Sequence, residues 1–133
     1  MRILVVEDDA DVREALAEAL EGEGHEVLVV AHGEEALSLL ESGAAPDVIV
    51  LDLMMPVMSG PELCARLKRD PEHAQIPVVV LSAASEPTLA QARAEAALSK
   101  PVHLAELVQT LERVVRAAGE GRRSGGRGLS FGG

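Results

Sequence analysis

With 133 residues, 47% of them hydrophobic and 26% charged, the chain has the composition of a globular protein and room for one domain with a core. A net charge of −10 and a single aromatic residue, Phe131, argue against direct nucleic-acid binding, because phosphate contacts need cations and base stacking needs rings. No apolar run approaches the ~20 residues of a membrane helix, and a lone cysteine suits a reducing compartment, so we expect a cytoplasmic protein without a membrane span.

Short runs of apolar, mostly β-branched residues predict four strands. They are Ile3–Val6, Val27–Val30, Val48–Leu51 and Val78–Leu81. Runs without any polar interruption are typical of strands that are covered on both faces, as in a parallel sheet. A fifth and weaker strand is predicted at Ala96–Ser99, since its sequence, AALS, has poor strand propensity.

Segments with helical spacing of apolar residues lie between these runs. We predict helices over residues 10–22, 34–41, 61–69, 87–96 and 103–117. Because strands and helices alternate, the fold is expected to be α/β, a flavodoxin-like doubly wound sheet of five parallel strands in the order 2-1-3-4-5. This domain covers residues 1–118, and the glycine- and arginine-rich residues 119–133 are expected to form a disordered tail.

Polar side chains follow the predicted strands at the points where the strands end. In chain order they are Glu7, Asp8, Asp9, Asp52, Ser82 and Lys100. In a doubly wound sheet the carboxyl ends of the strands form the binding site. Two carboxylates ~5 Å apart repel each other by roughly 3 kcal/mol at an effective dielectric constant of ~20, so three of them together need a cation. A hard divalent ion such as Mg²⁺ meets that need.

Helix or turn capping is the alternative role for part of this set. Asp9 directly precedes the first predicted helix and is expected to be its N-cap. Asp52 alone could cap a turn. The collection of carboxylates, a hydroxyl and a lysine at one edge of the sheet nevertheless favours a binding site.

Four segments of the chain resemble, in order, the signatures of response-regulator receiver domains, the CheY-like phosphoacceptor domains of two-component signalling. They read "ILVVEDDADVREAL", "DVIVLDLMMPVMSG", "PVVVLSA" and "SKPV". The resemblance covers residues 1–117. It implies that Asp52 is the phosphoacceptor, Ser82 the switch hydroxyl and Lys100 the phosphate-binding lysine, and that the Lys100-Pro101 bond is cis.

The same resemblance implies a metal site. Its cofactor is Mg²⁺, with Mn²⁺ as a substitute, and its ligands fall on Glu7, Asp8, Asp52 and the backbone carbonyl of Met54. The resemblance also implies that the phosphoryl group comes from a histidine kinase or a histidine phosphotransfer protein. Because no second domain fits after residue 118, we expect a stand-alone receiver that signals through an unknown output partner. Such a protein is not an enzyme beyond its own phosphorylation and dephosphorylation. A homodimer would use the face made by the fourth predicted helix, the fifth strand and the fifth helix.

The chain departs from the family pattern close to the fifth strand. The position of the family's aromatic switch residue falls on Ala97, and the stretch between Ser82 and Lys100 is shorter than the family usually has. These departures keep a second interpretation open, a pseudo-receiver interaction module that phosphorylation does not control. A third class, the dehalogenase-like phosphatases, also uses an aspartyl nucleophile and Mg²⁺, but this chain has no length for their cap domain.

Overall fold

A computed structural model describes residues 1–52, 60–82 and 94–130 of the chain. Within these residues five strands form one parallel sheet in the order β2-β1-β3-β4-β5. Their bounds are β1 (Arg2–Val6), β2 (Glu26–Val30), β3 (Val48–Asp52), β4 (Val78–Ser82) and β5 (Ala96–Ser99). The predicted α/β class and strand order are therefore confirmed.

Four helices are described in the same residues. They are α1 (Ala10–Gly22), α2 (Gly33–Glu41), α3 (Gly60–Arg69) and α4 (Leu104–Ser130). Most of the helix predicted at 87–96 lies outside the described residues. Its last residues differ from the prediction, because residues 94–95 form a bend and β5 begins at Ala96.

Helix α4 is much longer than the sequence predicts. We predict a helix over 103–117 and a disordered tail from residue 119, whereas α4 continues through these residues to Ser130. Helix propensity does not explain this extension, because residues 119–130 contain five glycines and each glycine costs about 1 kcal/mol in a helix interior.

The sheet divides the hydrophobic core into two layers. Successive side chains of a strand point to opposite faces, so Leu4 and Val6 pack on the side of α2 and α3, while Ile3 and Val5 pack on the side of α1 and α4. Both layers are closed by helix residues such as Leu63 and Leu111, which are 0% exposed. The two buried faces explain why the strand sequences are apolar without interruption.

Candidate functional site

The carboxyl ends of β1 and β3 meet at one edge of the sheet, where the strand order reverses. Val6 of β1 pairs with Leu51 of β3, so the residues that follow, Glu7 and Asp52, lie side by side. One carboxylate oxygen each from Glu7, Asp8 and Asp52 can be chosen so that all three lie within 4.8 Å of one another. The structure therefore brings together the three acidic residues that the sequence places at the strand ends.

Glu7 occupies the most protected position of this acidic group. Its side chain is buried, and its Oε2 accepts a hydrogen bond from the backbone N–H of Asp9 at 3.2 Å. The pKa of Glu7 is raised to about 7, mainly by burial; the Asp9 N–H opposes this rise, and the negative charge of Asp52 adds to it. Near neutral pH and without a metal, the acidic group therefore holds a proton on Glu7 in a substantial fraction of molecules.

Lys100 reaches the acidic group from β5. Its backbone N–H donates to the Ser82 carbonyl at 2.8 Å, and its Nζ lies 3.1 Å from Oδ1 of Asp52. Asp52 is buried, whereas the Lys100 side chain is 44% exposed, so the ammonium group lies at the mouth of the site. The Lys100-Pro101 bond is cis, as predicted.

The remaining predicted site residues have different outcomes. Ser82 is buried at the end of β4, one residue beyond Leu81, which pairs with Asp52. Asp9 caps α1, because its Oδ1 accepts hydrogen bonds from the backbone N–H groups of Asp11 and Val12 at 2.9 and 3.2 Å. Met54, the residue predicted to supply a carbonyl ligand, lies outside the described residues.

The donor chemistry of the acidic group fits a hard divalent cation. All three side chains offer carboxylate oxygens, the ligands that Mg²⁺ and Mn²⁺ prefer. Three carboxylates meet here and Lys100 contacts one of them, Asp52, so the group carries a net negative charge when all three are ionised. Glu7, Asp8 and Asp52 would therefore hold the metal, with waters completing its coordination.

A cavity of about 590 Å³ adjoins the acidic group. One end is lined by the carboxylates and Lys100, and the other by apolar side chains that include Val12, Leu16 and Leu104. Val12 and Leu104 are 41% and 38% exposed. The helical spacing of residues 10–22 suggests that Val12 belongs to a core-facing stripe, so the sequence does not reveal this apolar wall. The short distance in sequence between Val12 and the end of β1 is the feature that could have predicted its place beside the site.

The raised pKa of Glu7 predicts how metal binding depends on pH. Because Glu7 must lose its proton to bind a metal, the apparent Mg²⁺ affinity should rise about tenfold per pH unit below pH 7 and level off above it. Titration calorimetry between pH 5.5 and 8.5 measures this profile. In Glu7→Gln, which has no proton to lose, the binding should be weaker and nearly independent of pH. A flat profile in the unmodified protein would contradict the assignment of Glu7.

A five-stranded parallel sheet of this order, with an acidic group and a lysine at its carboxyl edge, defines the receiver class of α/β domains. The family model of the response regulator receiver domain matches residues 3–112. The chain belongs to this family, whose members act in two-component signalling. Receiver domains bind Mg²⁺ at an acidic site and interact with histidine kinases or phosphotransfer proteins.

Individual relatives agree with this assignment. The phosphate regulon transcriptional regulatory protein PhoB of Pseudomonas aeruginosa is 38% identical over 123 residues, which cover 90% of this chain and 53% of PhoB. An uncharacterized 14.6 kDa protein of Leptolyngbya boryana is 38% identical over 117 residues, covering 85% of this chain and 88% of that protein. The chain thus spans about half the length of PhoB but most of the Leptolyngbya protein.

A solved structure shows a metal in the corresponding kind of cleft. The receiver domain of the sensor histidine kinase PA1611 from Pseudomonas aeruginosa was crystallised with a magnesium ion coordinated in its active-site cleft. It matches this fold with a TM-score of 0.79 and 27% identity over 86% of this chain and 96% of that one.

Among the described residues, no helix combines the length and the hydropathy needed to cross a membrane.

Proposed function

We propose that this receiver domain accepts a phosphoryl group on Asp52, in a Mg²⁺-dependent reaction, from the phosphohistidine of a histidine kinase or a histidine phosphotransfer protein. The observation that carries the proposal is the 3.1 Å contact between Lys100 Nζ and Asp52 Oδ1 at the edge of a group of three carboxylates. A capping aspartate would need neither the lysine nor the neighbouring acids.

Asp52 is the nucleophile in this proposal. An oxygen of its carboxylate attacks phosphorus, the O–P bond forms, the N–P bond of the donor breaks, and the electron pair remains on the imidazole nitrogen. The attacking carboxylate oxygen carries no proton, so the step needs no general base. Burial of Asp52 next to the apolar core restricts water around the oxygen that attacks.

The residues around that oxygen place positive charge where the phosphoryl group would bind. Glu7 and Asp8 would hold the metal together with Asp52, and bound Mg²⁺ would supply positive charge for the phosphoryl oxygens. The Lys100 ammonium lies close enough to move from the Asp52 carboxylate to an incoming phosphoryl oxygen. We assign Ser82 as the hydroxyl that donates a hydrogen bond to the phosphoryl group, because it follows the residue paired with Asp52 on the neighbouring strand.

The cavity supplies a place for the phosphodonor. Its apolar wall on α1 and at the start of α4 continues directly from the acidic group, so a partner helix could cover Val12 and Leu104 while presenting its phosphohistidine to Asp52. Output through a separate partner, and a homodimer through β5 and its neighbouring helices, remain predictions from the sequence. Ala97 is exposed on β5 and would lie on that dimer face.

Incubation with acetyl phosphate and Mg²⁺, followed by intact-mass measurement, tests the proposal. We expect a single gain of about 80 Da, the mass of one phosphoryl group, and none with EDTA or in Asp52→Asn. Asp47→Asn is the matched control. Asp47 directly precedes β3 at the end opposite to Asp52, so this variant should show the same gain of mass. No gain in the unmodified protein would contradict the proposal and favour the pseudo-receiver interpretation.

A further inference from the structure

Strand β5 has few buried side chains that could fix its register against β4. It is four residues long, and within it Leu98 is the buried residue, whereas Ala97 and Ser99 are exposed. The register of a strand is set mainly by the pattern of its buried side chains, so a short strand with one buried residue is weakly specified. The position of Lys100 nevertheless depends on this register, because Lys100 directly follows Ser99, the partner of Ser82.

Glu95, the residue before β5, binds both backbone groups of Val78 at the start of β4. Its N–H donates to the Val78 carbonyl at 2.9 Å, and its Oε2 accepts from the Val78 N–H at 2.7 Å. The carboxylate thus takes the place that a longer β5 backbone would occupy in the ladder. These two hydrogen bonds hold Glu95, directly before β5, opposite Val78 at the start of β4.

Lys68 of α3 holds the other oxygen of the same carboxylate. Its Nζ lies 2.7 Å from Glu95 Oε1 and also donates to the carbonyls of Ala74 and Ile76 at 3.2 and 3.5 Å. The Lys68 and Glu95 side chains are 21% and 35% exposed, so solvent screens the pair only in part. Lys68 and Glu95 therefore join α3, the segment before β4 and the start of β5; we call this pair the β5 clamp.

We propose that the β5 clamp makes Lys68 and Glu95 positioning residues for phosphoryl transfer, by fixing the register that places Lys100 Nζ against Asp52. This inference rests on the proposed function. A slip of two residues along the strand would displace Lys100 by about 6.6 Å, more than enough to break its contact with Asp52. Glu95 lies in the part of the chain that departs from the family pattern, the short stretch between Ser82 and Lys100.

The experiment measures the rate of phosphorylation by acetyl phosphate, with saturating Mg²⁺, in two backgrounds. In the unmodified background, Glu95→Ala should slow the reaction about tenfold or more, because displacement of a charge-stabilising group by about 1 Å is already costly. In a Lys100→Ala background, Glu95→Ala should cause no further slowing. Glu95→Gln keeps one acceptor oxygen for the Val78 N–H but loses the carboxylate oxygen that Lys68 binds, so its rate should lie between those of the unmodified protein and Glu95→Ala.

Glu26→Ala is the matched control. Glu26 begins β2, the opposite edge strand, and pairs with Arg2 at 2.9 Å, so its loss also breaks an ion pair at a strand start but far from Lys100. Glu26→Ala should not change the Mg²⁺ affinity, and Glu95→Ala should leave it equal or higher, because it moves the competing Lys100 ammonium and none of the proposed metal ligands. In Glu95→Ala, but not in Glu26→Ala, hydrogen exchange at the Lys100 amide should become faster.

Each other result overturns the inference. An unchanged rate in Glu95→Ala, or an equal slowing in both backgrounds, would show that the clamp does not act through Lys100. If the unmodified protein is not phosphorylated at all, the proposed function is wrong, whatever the role of the clamp. Amide exchange then tests the clamp alone, since unaltered protection of the Lys100 amide in Glu95→Ala would rule out control of the β5 register.

Discussion

Replacing Lys100 by alanine should slow phosphorylation of Asp52 by about 100-fold or more, the cost typical of removing a group that stabilises charge in the transition state. The same change should leave the Mg²⁺ affinity equal or higher, because the Lys100 ammonium competes with a cation for the Asp52 carboxylate. A time course of intact mass with acetyl phosphate gives the rate, and titration calorimetry gives the affinity.

Lys100→Arg is the informative companion variant. It keeps the positive charge but changes its shape and reach, so its rate should lie between those of the unmodified protein and Lys100→Ala. If Lys100→Ala were phosphorylated at the unmodified rate, the 3.1 Å contact with Asp52 would have to be a structural ion pair without a role in the chemistry.

Replacing Asp8 by asparagine should have opposite effects on metal binding and on stability. We expect the Mg²⁺ affinity to fall on the order of 100-fold, because one of the three carboxylates that attract the cation is gone. Without metal, the free energy of unfolding should rise by about 1 kcal/mol, since the same change relieves repulsion between like charges. Calorimetric titration and urea denaturation in EDTA measure the two quantities.

Asp11→Asn serves as the control for Asp8→Asn. Asp11 is exposed in the first turn of α1, outside the acidic group, so its Mg²⁺ affinity should match that of the unmodified protein. If Asp8→Asn destabilised the metal-free protein, Asp8 would have to make a favourable structural contact that outweighs its repulsion by Glu7 and Asp52.

Much of the fold follows from the sequence because the strands are buried on both faces. Continuous apolar runs such as Val78–Leu81 leave few alternatives to a parallel sheet, and the helices between them fix the connections. Even β5, predicted at Ala96–Ser99 from a poor strand sequence, has those bounds in the structure. The length of α4 could not be predicted, because the glycine-rich residues 119–130 have low helix propensity.

The candidate site was accessible to sequence reasoning for a different reason. Residues that follow parallel strands meet at one edge, so Glu7 and Asp52 could be brought together without knowing any contact. The partnership of Lys68 with Glu95 could not, because it joins two side chains 27 residues apart that lie in no shared motif. The raised pKa of Glu7 also needs the structure, since burial is its main cause.

Mapping the phosphoryl group to its residue tests the central claim most directly. After incubation with acetyl phosphate and Mg²⁺, borohydride reduction converts a phosphorylated aspartate to homoserine, which peptide mass spectrometry then locates. The account predicts conversion at Asp52 alone, and none when EDTA replaces Mg²⁺. Conversion at another carboxylate, or conversion at Asp52 that does not need a divalent ion, would contradict it.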